Sequence, residues 1–366
     1  MVFGLGLCGL ACADGHTGGD RPFVATPVAT LERPWAMTFL PDGRALVTEK
    51  EGRVRIVTQG GEVSEPLDGV PAVDYGGQGG LGDVVLHPDY GDNGLVYLSY
   101  VEAGADDTRG AVVSRGRLVL EDAGGRFEDL RIIWRQSPKT TGRGHYGHRI
   151  AFDGDGYLFI SSGERQKFDP SQDMQQNLGK VVRLFDDGRV PDDNPFAERG
   201  GVTAEIWSLG HRNPLGLTFD PDGRLWNMEM GPAHGDELNL VEKGNNYGYP
   251  TVSNGDHYDG RPIPDHATRP EFDEPAVWWY PAISPGGFIF YDAGRFPEWR
   301  GDALIGGLGA EALVRVTVDA DGAREAERYE MGKRIREVEQ GPDGYVWLLE
   351  DGPRGRLLKL TPAAGS

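Results

Sequence analysis

The stretch IAFDGDGYLFISSGE (150–164) decides the fold class. It places one apolar run before an Asp-Gly turn and a second apolar run after it, which is a strong short-range signal for a β-hairpin. The same pattern recurs in MTFLPDGRALVTE (37–49), VVLHPDYGDNGLVYLSY (84–100), LTFDPDGRLWNMEMG (217–231) and VEQGPDGYVWLLEDG (338–352). A sixth strand-rich stretch without the compact turn lies at 286–308.

Six repeated strand units predict an all-β fold, a six-bladed β-propeller with four-stranded antiparallel blades. A stack of β-sandwich domains is the alternative, although the chain lacks obvious linkers. We expect 21–366 to form one propeller domain, because each blade buries its faces only against its neighbours. Loops from all blades would meet at one end of the channel, and the long segments 165–204 and 245–282 are expected on that face.

The composition, the net charge and the absence of certain motifs argue against several classes of function. The 56 glycines and 25 prolines leave little room for long helices. A net charge of −20 argues against a nucleic-acid partner, whose phosphates demand a basic surface. No segment after the N-terminus approaches the roughly 18 apolar residues of a membrane span. The sequence also lacks a Gly-x-Ser-x-Gly elbow, a P-loop and a dinucleotide fingerprint.

The first 20 residues have a different character. MVFGLGLCGLACADG resembles the apolar end of a secretory signal, so we expect export to the periplasm or the outside of the cell. The two cysteines, Cys8 and Cys12, both lie here. A lipid anchor on Cys12 is the less favoured alternative. The remaining chain has no disulfide framework and no thiolate metal site.

Two histidines precede the strand RIAF. His145 lies just before this strand and Glu164 ends the partner strand of the same hairpin, so their side chains are expected to approach each other. A carboxylate there would hold the imidazole in the tautomer needed for a general base. The alternative is a purely structural role, in which the histidine only caps a loop. His148 has the opposite strand parity, and we interpret it as a structural neighbour.

Four further motifs carry candidate binding groups. GHRNPLG (210–216) supplies Arg212 and Asn213 at the equivalent place on the next blade, where a fixed positive charge suits a developing oxyanion. GGQGGLGD (76–83) offers the Gln78 amide beside glycines that admit a flat ligand.

In KRIRE (333–337), Arg334 and Arg336 project from one face of an extended segment and suit carboxylates, although a solvated charged strand is an alternative. MGPAHGDELN (230–239) combines turn carbonyls with carboxylates, as Ca²⁺ prefers, but it is equally compatible with an ordinary Gly-Pro turn.

Taken in order, these motifs resemble the soluble, pyrroloquinoline-quinone-dependent sugar dehydrogenases of the glucose/sorbosone dehydrogenase family. The resemblance runs from RPWAMTFLPDG (33–43) to GRLLKLTP (355–362) and includes NNYGYP. It implies a six-bladed propeller that oxidises aldoses at the anomeric carbon to lactones. Pyrroloquinoline quinone (PQQ) and Ca²⁺ would be the cofactors, and the electron acceptor stays unidentified.

The resemblance also implies roles for the catalytic and substrate-binding residues. His145 would take the proton of the anomeric hydroxyl as hydride passes to the quinone, with Glu164 behind it and Gln78 beside the substrate. Arg212 and Asn213 would contact the quinone and the oxygen that becomes anionic.

Further implied roles concern the cofactor and metal ions. Arg334 and Arg336 would receive the cofactor's carboxylates. The carbonyls of Gly231 and Pro232 would hold the catalytic calcium, and Glu237 with the loop 245–260 a second one.

One departure stands out: some members contact the cofactor with a lysine from the segment that corresponds to 305–313, where this chain has none. Two other functions remain open. A calcium-dependent lactonase-type propeller would also use histidine and calcium, and a propeller could be a non-catalytic binding module.

Overall fold

The structure is a computed structural model that describes residues 21–122, 124–319 and 322–363. The signal-like segment 1–20, with Cys8 and Cys12, lies outside the described residues. Within them the regular secondary structure is almost entirely β-strand. In chain order the strands are β1 (Phe23–Leu31), β2 (Pro34–Phe39), β3 (Ala45–Glu49), β4 (Arg53–Val57), β5 (Leu81–Leu86), β6 (Leu95–Ala103), β7 (Arg109–Glu121), β8 (Gly124–Arg135), β9 (Gly147–Phe152), β10 (Leu158–Ser162), β11 (Lys180–Leu184), β12 (Ile206–Leu209), β13 (Pro214–Phe219), β14 (Leu225–Glu229), β15 (Asp236–Leu240), β16 (Val277–Trp279), β17 (Pro285–Phe290), β18 (Ala303–Gly307), β19 (Ala312–Asp319), β20 (Gly322–Glu330), β21 (Ile335–Gln340), β22 (Val346–Glu350) and β23 (Gly355–Pro362).

The described strands form six antiparallel sheets, which confirms the predicted six-bladed propeller. The inner strands β2, β5, β9, β13, β17 and β21 lie side by side around the central channel. Each of the six sequence units supplies the inner hairpin of one blade. The first described strand, β1, pairs with β23 and is the outer strand of the last blade, so the first and last described strands close the ring.

One blade differs from the prediction, because β2, β3 and β4 form a sheet of only three strands among the described residues. The chain after β4, residues 58–80, is rich in glycine and proline and lacks the alternation of a strand. Instead of adding a fourth strand, it reaches the next blade, where Asp68 forms a parallel bridge with Arg126.

Helical structure is confined to short segments. A single turn, α1 (Tyr90–Asn93), lies in the connection between β5 and β6. Five 3₁₀ segments are found at Asp169–Ser171, Ala197–Arg199, Gly201–Glu205, His266–Thr268 and Pro297–Trp299. Among the described residues, none of these helices has the length and apolar composition to cross a membrane.

Apolar side chains from neighbouring sheets pack between the blades. Trp226 of β14 and Leu238 of β15, for example, belong to one buried cluster with Phe288 of β17 and Val314 of β19. Burial of these side chains against the adjacent blade is what fixes the ring, since the hydrophobic effect scales with the apolar area removed from water.

A shift of register recurs in all six inner hairpins, at the end where the inner strand begins. The shifts lie between Pro34 and Met37, Leu81 and Val84, Ile160 and Ser162, Pro214 and Gly216, Pro285 and Phe288, and Ile335 and Glu337. Such bulges re-aim the side chains beside them. The candidate site residues lie at this end of the strands, so strand parity alone does not decide where they point.

Candidate active site

The candidate site lies where the inner strands begin and the second strands end. A cavity of about 280 Å³ is lined there by residues that directly precede an inner strand, such as Arg33 and Arg334, and by residues that directly follow a second strand. The second group consists of Lys50, Met230, Leu308 and Asp351. Residues far apart in the chain therefore meet because they hold equivalent places in successive blades. We call this space the cationic cavity.

Four cationic side chains line the cationic cavity: Arg33, Lys50, Arg334 and Arg336. Asp351 is the only carboxylate among its lining residues, all of which are described. Arg334 Nε donates to Asp351 Oδ2 at 2.9 Å, and Arg336 Nε and Nη2 donate to Oδ1 at 3.0 and 2.9 Å. Burial opposes ionisation of Asp351, but the two arginines outweigh it and lower the pKa of this carboxyl. The two arginines are thus brought together, as the motif predicted.

An adjoining cavity of about 240 Å³ is lined by His145, Glu164 and Arg212. Its outer wall comes from the two long segments, which contribute aromatic and polar side chains. These are Gln166, Phe168, Tyr249, His257, Tyr258, Asp259 and Arg261. Parts of both insertions therefore reach the site, as expected from the sequence. We call this space the histidine cavity.

His145 and Glu164 form a buried pair. Glu164 Oε1 contacts His145 Nδ1, while Oε2 accepts the backbone N–H of Phe168 at 2.7 Å and that of Lys167. Burial raises the pKa of Glu164, but these donors outweigh it and the net shift is downward. An ionised carboxylate only accepts hydrogen bonds, so the proton must lie on Nδ1 and the lone pair on Nε2. Nε2 has no hydrogen-bond partner within the described chain.

Two backbone features hold His145 in place. Its N–H donates to the Gln78 Oε1 at 2.7 Å, and its carbonyl accepts the N–H of Arg165 at 3.2 Å. His145 also has a φ of 50°, a left-handed conformation that costs a non-glycine residue energy and is typical of functional sites. Gln78, predicted beside the substrate, lines the cationic cavity and orients the histidine.

Arg212 lines the histidine cavity, and Arg212 and Asn213 each hydrogen-bond a residue that lines the cationic cavity, Met230 and Gly147 respectively. Arg212 Nη1 donates to the carbonyls of Met230, at 2.9 Å, and of Gly231. Its Nη2 donates to the Tyr258 hydroxyl at 3.3 Å. Asn213 Oδ1 accepts the N–H of Gly147 at 3.3 Å. In the described chain the buried Arg212 Nε and Asn213 Nδ2 have no hydrogen-bond partner, so each is a donor that a ligand could satisfy.

The Asp236 carboxylate holds the turn at Gly231 and Pro232 in place through a hydrogen bond to its backbone. Asp236 Oδ1 accepts the Gly231 N–H at 2.9 Å, and Oδ2 accepts the Ser284 N–H at 2.6 Å. Burial raises the pKa of Asp236 to about 6. A Cβ on Gly231 would lie 2.2 Å from the carbonyl oxygens of His234 and Gly235, so only glycine fits this turn.

Glu237 lies on β15 directly opposite Glu229 of β14. It is buried, and His266 Nε2 lies 3.3 Å from its Oε1. Burial raises the pKa of Glu237. Within the described residues no group of three or more His, Cys, Asp or Glu side chains has the arrangement of a metal site. A calcium ion at Glu237 stays a prediction.

From strand parity, His148 was interpreted as a structural neighbour of the site. In the structure its side chain lines the cationic cavity. Its Nδ1 lies 2.7 Å from Ser99 Oγ, and its ring stacks on Trp35 with centroids 5.1 Å apart. Burial, with the charge of Arg149, lowers the pKa of His148 to about 3. The bulge at the start of β9 and a φ of 61° at His148 turn the side chain toward the channel. It remains neutral and packed.

Arg33 and Lys50 were not predicted as site residues from the sequence. A signal was present: Arg33 precedes the inner strand β2 and Lys50 follows the second strand β3, the same two places that hold Arg334 and Asp351 in the last blade. The position of each residue at the end of its hairpin is therefore the signal that predicts its place on the channel.

The chain's own groups fit PQQ, which carries three carboxylates and a flat quinone. Four cations surround one cavity, and two buried donors lack partners. For calcium the chain offers the carbonyls of Gly231 and Pro232, one of which already accepts from Arg212. Because Ca²⁺ takes six to eight oxygen ligands, most of them would have to come from the cofactor and water.

Comparisons with known proteins agree with this geometry. Residues 31–359 match the family model for Glucose / Sorbosone dehydrogenase. The aldose sugar dehydrogenase YliI of Escherichia coli (strain K12) is 42% identical over 340 residues, which is 91% of this chain and 91% of that protein.

Two solved structures extend the comparison. The E. coli soluble aldose sugar dehydrogenase in its apo form has a TM-score of 0.88 at 40% identity, over 93% of this chain and 100% of that one. The PQQ-bound aldose sugar dehydrogenase of Streptomyces coelicolor has a TM-score of 0.75 at 28% identity, over 93% and 98%. This chain belongs to the glucose/sorbosone dehydrogenase family, a family of oxidoreductases.

Proposed function

We propose that the protein oxidises aldose sugars at the anomeric carbon to lactones, with PQQ and Ca²⁺ as cofactors. The observation that carries this proposal is the buried His145–Glu164 pair beside a cavity lined by four cations. The names of the relatives support it: one is an aldose sugar dehydrogenase and another is described in a PQQ-bound form. The electron acceptor is not identified.

The residues that would hold the cofactor are those that line the cationic cavity or border it. Arg334 and Arg336 would bind carboxylates, and Arg212 and Asn213 would donate to the quinone oxygens from their free N–H groups. The Gly231 and Pro232 carbonyls would contribute to a calcium site. The chemistry supplied by such a cofactor is hydride acceptance, which Ca²⁺ favours by withdrawing electron density from the quinone.

His145 is the base in this proposal. Burial is the largest cause that lowers the pKa of His145, and the charge of Arg212 adds to it, so the imidazole is neutral near pH 7. Its free Nε2 can take the proton of the anomeric hydroxyl, while Glu164 stabilises the imidazolium that forms. Arg212 carries a fixed positive charge beside the developing negative charge.

The proposal is tested by adding PQQ and CaCl₂ to the purified protein and then a panel of aldoses. We expect an absorbance change that reports cofactor reduction, and turnover with an added dye as electron acceptor. No reduction by any aldose, at full occupancy by cofactor and calcium, would contradict the proposal. Cleavage of a lactone in the absence of PQQ would instead support the alternative function, a calcium-dependent lactonase-type propeller.

We also propose that the protein is exported, because the first 20 residues have the composition of a secretory signal. Fractionation of cells that express the chain is the test. We expect the protein in the periplasm or the medium, and retention in the cytosol would contradict the proposal.

A further inference from the structure

The cationic cavity contains more positive charge than its own carboxylate can balance. Asp351 is engaged by both Arg334 and Arg336, and it offers no hydrogen bond to Arg33 or Lys50 among the described contacts. Arg33 has a distant partner in Glu51, with Nε and Oε1 3.6 Å apart, and both side chains are more than a third exposed. Such an exposed pair contributes little. The protein as a whole has a net charge of −20, so this local excess of cations calls for an anionic ligand.

Lys50 has hydrogen-bonding capacity that the chain's own groups leave unused. It follows β3 directly, and its backbone N–H donates to the Arg33 carbonyl at 3.0 Å, which fixes the two residues side by side. Its Nζ donates to the Gly77 carbonyl at 3.1 Å. An ammonium group has three N–H donors, and no other acceptor for Nζ is found in the described chain.

The environment of Lys50 is costly for a charge. The side chain is partly buried, and burial, followed by repulsion from Arg336, lowers its pKa. Asp351 opposes this shift and Arg33 adds to it. An anion bound between Lys50 and the two arginines would offset their repulsion. Anion binding therefore stabilises the charged form of Lys50, and that charge in turn strengthens anion binding.

We propose that Lys50, with Arg33 beside it, binds a carboxylate of the cofactor, because the segment 305–313 contributes no cationic side chain to the cavity. This inference rests on the proposed function. From that segment the cavity receives Leu308, which has no charge. The ammonium instead comes from the residue that directly follows the second strand of the first blade, and this blade lies next to the blade of Arg334 and Arg336 in the ring.

The test is the affinity of the calcium-loaded protein for PQQ, measured by calorimetry or by quenching of protein fluorescence, without any sugar. We expect Lys50→Met to weaken PQQ binding about 10- to 100-fold, the effect of losing one hydrogen bond to a charged group. Lys50→Arg should retain most of the affinity. Lys243→Met, which removes an exposed charge beside another cavity at 153–155, should leave PQQ affinity unchanged.

A second measurement uses PQQ whose carboxylates are methyl esters. The difference in affinity between the wild type and Lys50→Met should shrink toward none, because the charge that Lys50 recognises is gone. If Lys50→Met fails to fold, Lys50→Gln and this ester comparison in the wild type replace it.

The outcomes separate the two proposals. Tight binding of PQQ to the wild type with equal affinity for Lys50→Met would overturn the inference and leave the proposed function standing. Failure of the wild type to bind PQQ would overturn both. An affinity loss of the same size in Lys243→Met would also overturn the inference, because it would show an effect of net charge alone.

Discussion

Glu164 holds His145 by its Nδ1, and the loop that follows Glu164 holds Glu164 in turn through the N–H groups of Lys167 and Phe168. The pair joins the entrance of β9 to the exit of β10 across one hairpin. The buried carboxylate accepts from three donors, and it fixes the imidazole with the proton on Nδ1 and the lone pair on Nε2.

Replacing the proposed base should abolish turnover but not cofactor binding. We expect His145→Gln to lower kcat by about 10²- to 10⁴-fold, the usual contribution of a positioned general base, with little change in PQQ affinity. Rapid-mixing measurement of cofactor reduction by excess aldose checks this. His148→Gln is the control and should keep kcat within about tenfold. A variant pattern in which only His148→Gln loses turnover would show that the wrong histidine was assigned.

Glu164→Gln tests the positioning of that base. The amide can donate to Nδ1 and so favours the tautomer with the proton on Nε2, where it blocks proton abstraction. We expect kcat to fall with a nearly unchanged KM for the aldose, while Glu164→Asp recovers part of the loss. A KM effect without a kcat effect would argue that Glu164 serves binding and not orientation.

The pH dependence of kcat/KM follows from the lowered pKa of His145. Burial, with the charge of Arg212, keeps this pKa below its ordinary value of 6.5 despite the hydrogen bond to Glu164. The neutral form of the base therefore predominates at pH 7. We expect kcat/KM to fall only as the pH drops through a value below 6.5. Initial rates with a pH-insensitive dye measure it, and an acidic limb above pH 7 would contradict the assignment.

His148 should make stability depend on pH. Its pKa is about 3 in the folded protein and 6.5 is the ordinary value, so between these values the unfolded chain binds a proton that the folded chain does not. The free energy of unfolding should thus decrease as the pH falls from 6.5 toward 3, by up to about 1.4 kcal/mol per unit. Urea unfolding of the wild type and His148→Gln measures the difference, and identical pH slopes would refute it.

Gly231→Ala tests the turn that precedes Asp236. The added Cβ would lie 2.2 Å from two backbone carbonyl oxygens, so the turn must move at a cost of about 1–3 kcal/mol. We expect a lower Tm and weaker stabilisation of the PQQ-loaded protein by Ca²⁺. Gly154→Ala, where a Cβ meets nothing within 4 Å, is the matched control. Equal melting curves for the two variants would show that the turn is adaptable.

Much of the architecture was readable from local patterns. The Asp-Gly turns between apolar runs predicted the hairpins β2–β3, β5–β6, β9–β10, β13–β14 and β21–β22, because a hairpin is specified by residues close in sequence. The same locality explains why His145 and Glu164 were found together: they flank one hairpin. The missing strand after β4 was not foreseen, since the repeat implied a fourth strand that the segment 58–80 lacks the alternation to form.

What the sequence determined by itself is therefore the repeated hairpin, the propeller it builds and the pairing of groups that share a hairpin. The tertiary structure decided the rest. Only ring closure brings Lys50 of the first blade to Arg336 and Asp351 of the last, and only the bulges that open the inner strands turn His148 toward the channel. Both depend on packing between blades and on backbone kinks, which no short stretch of sequence encodes.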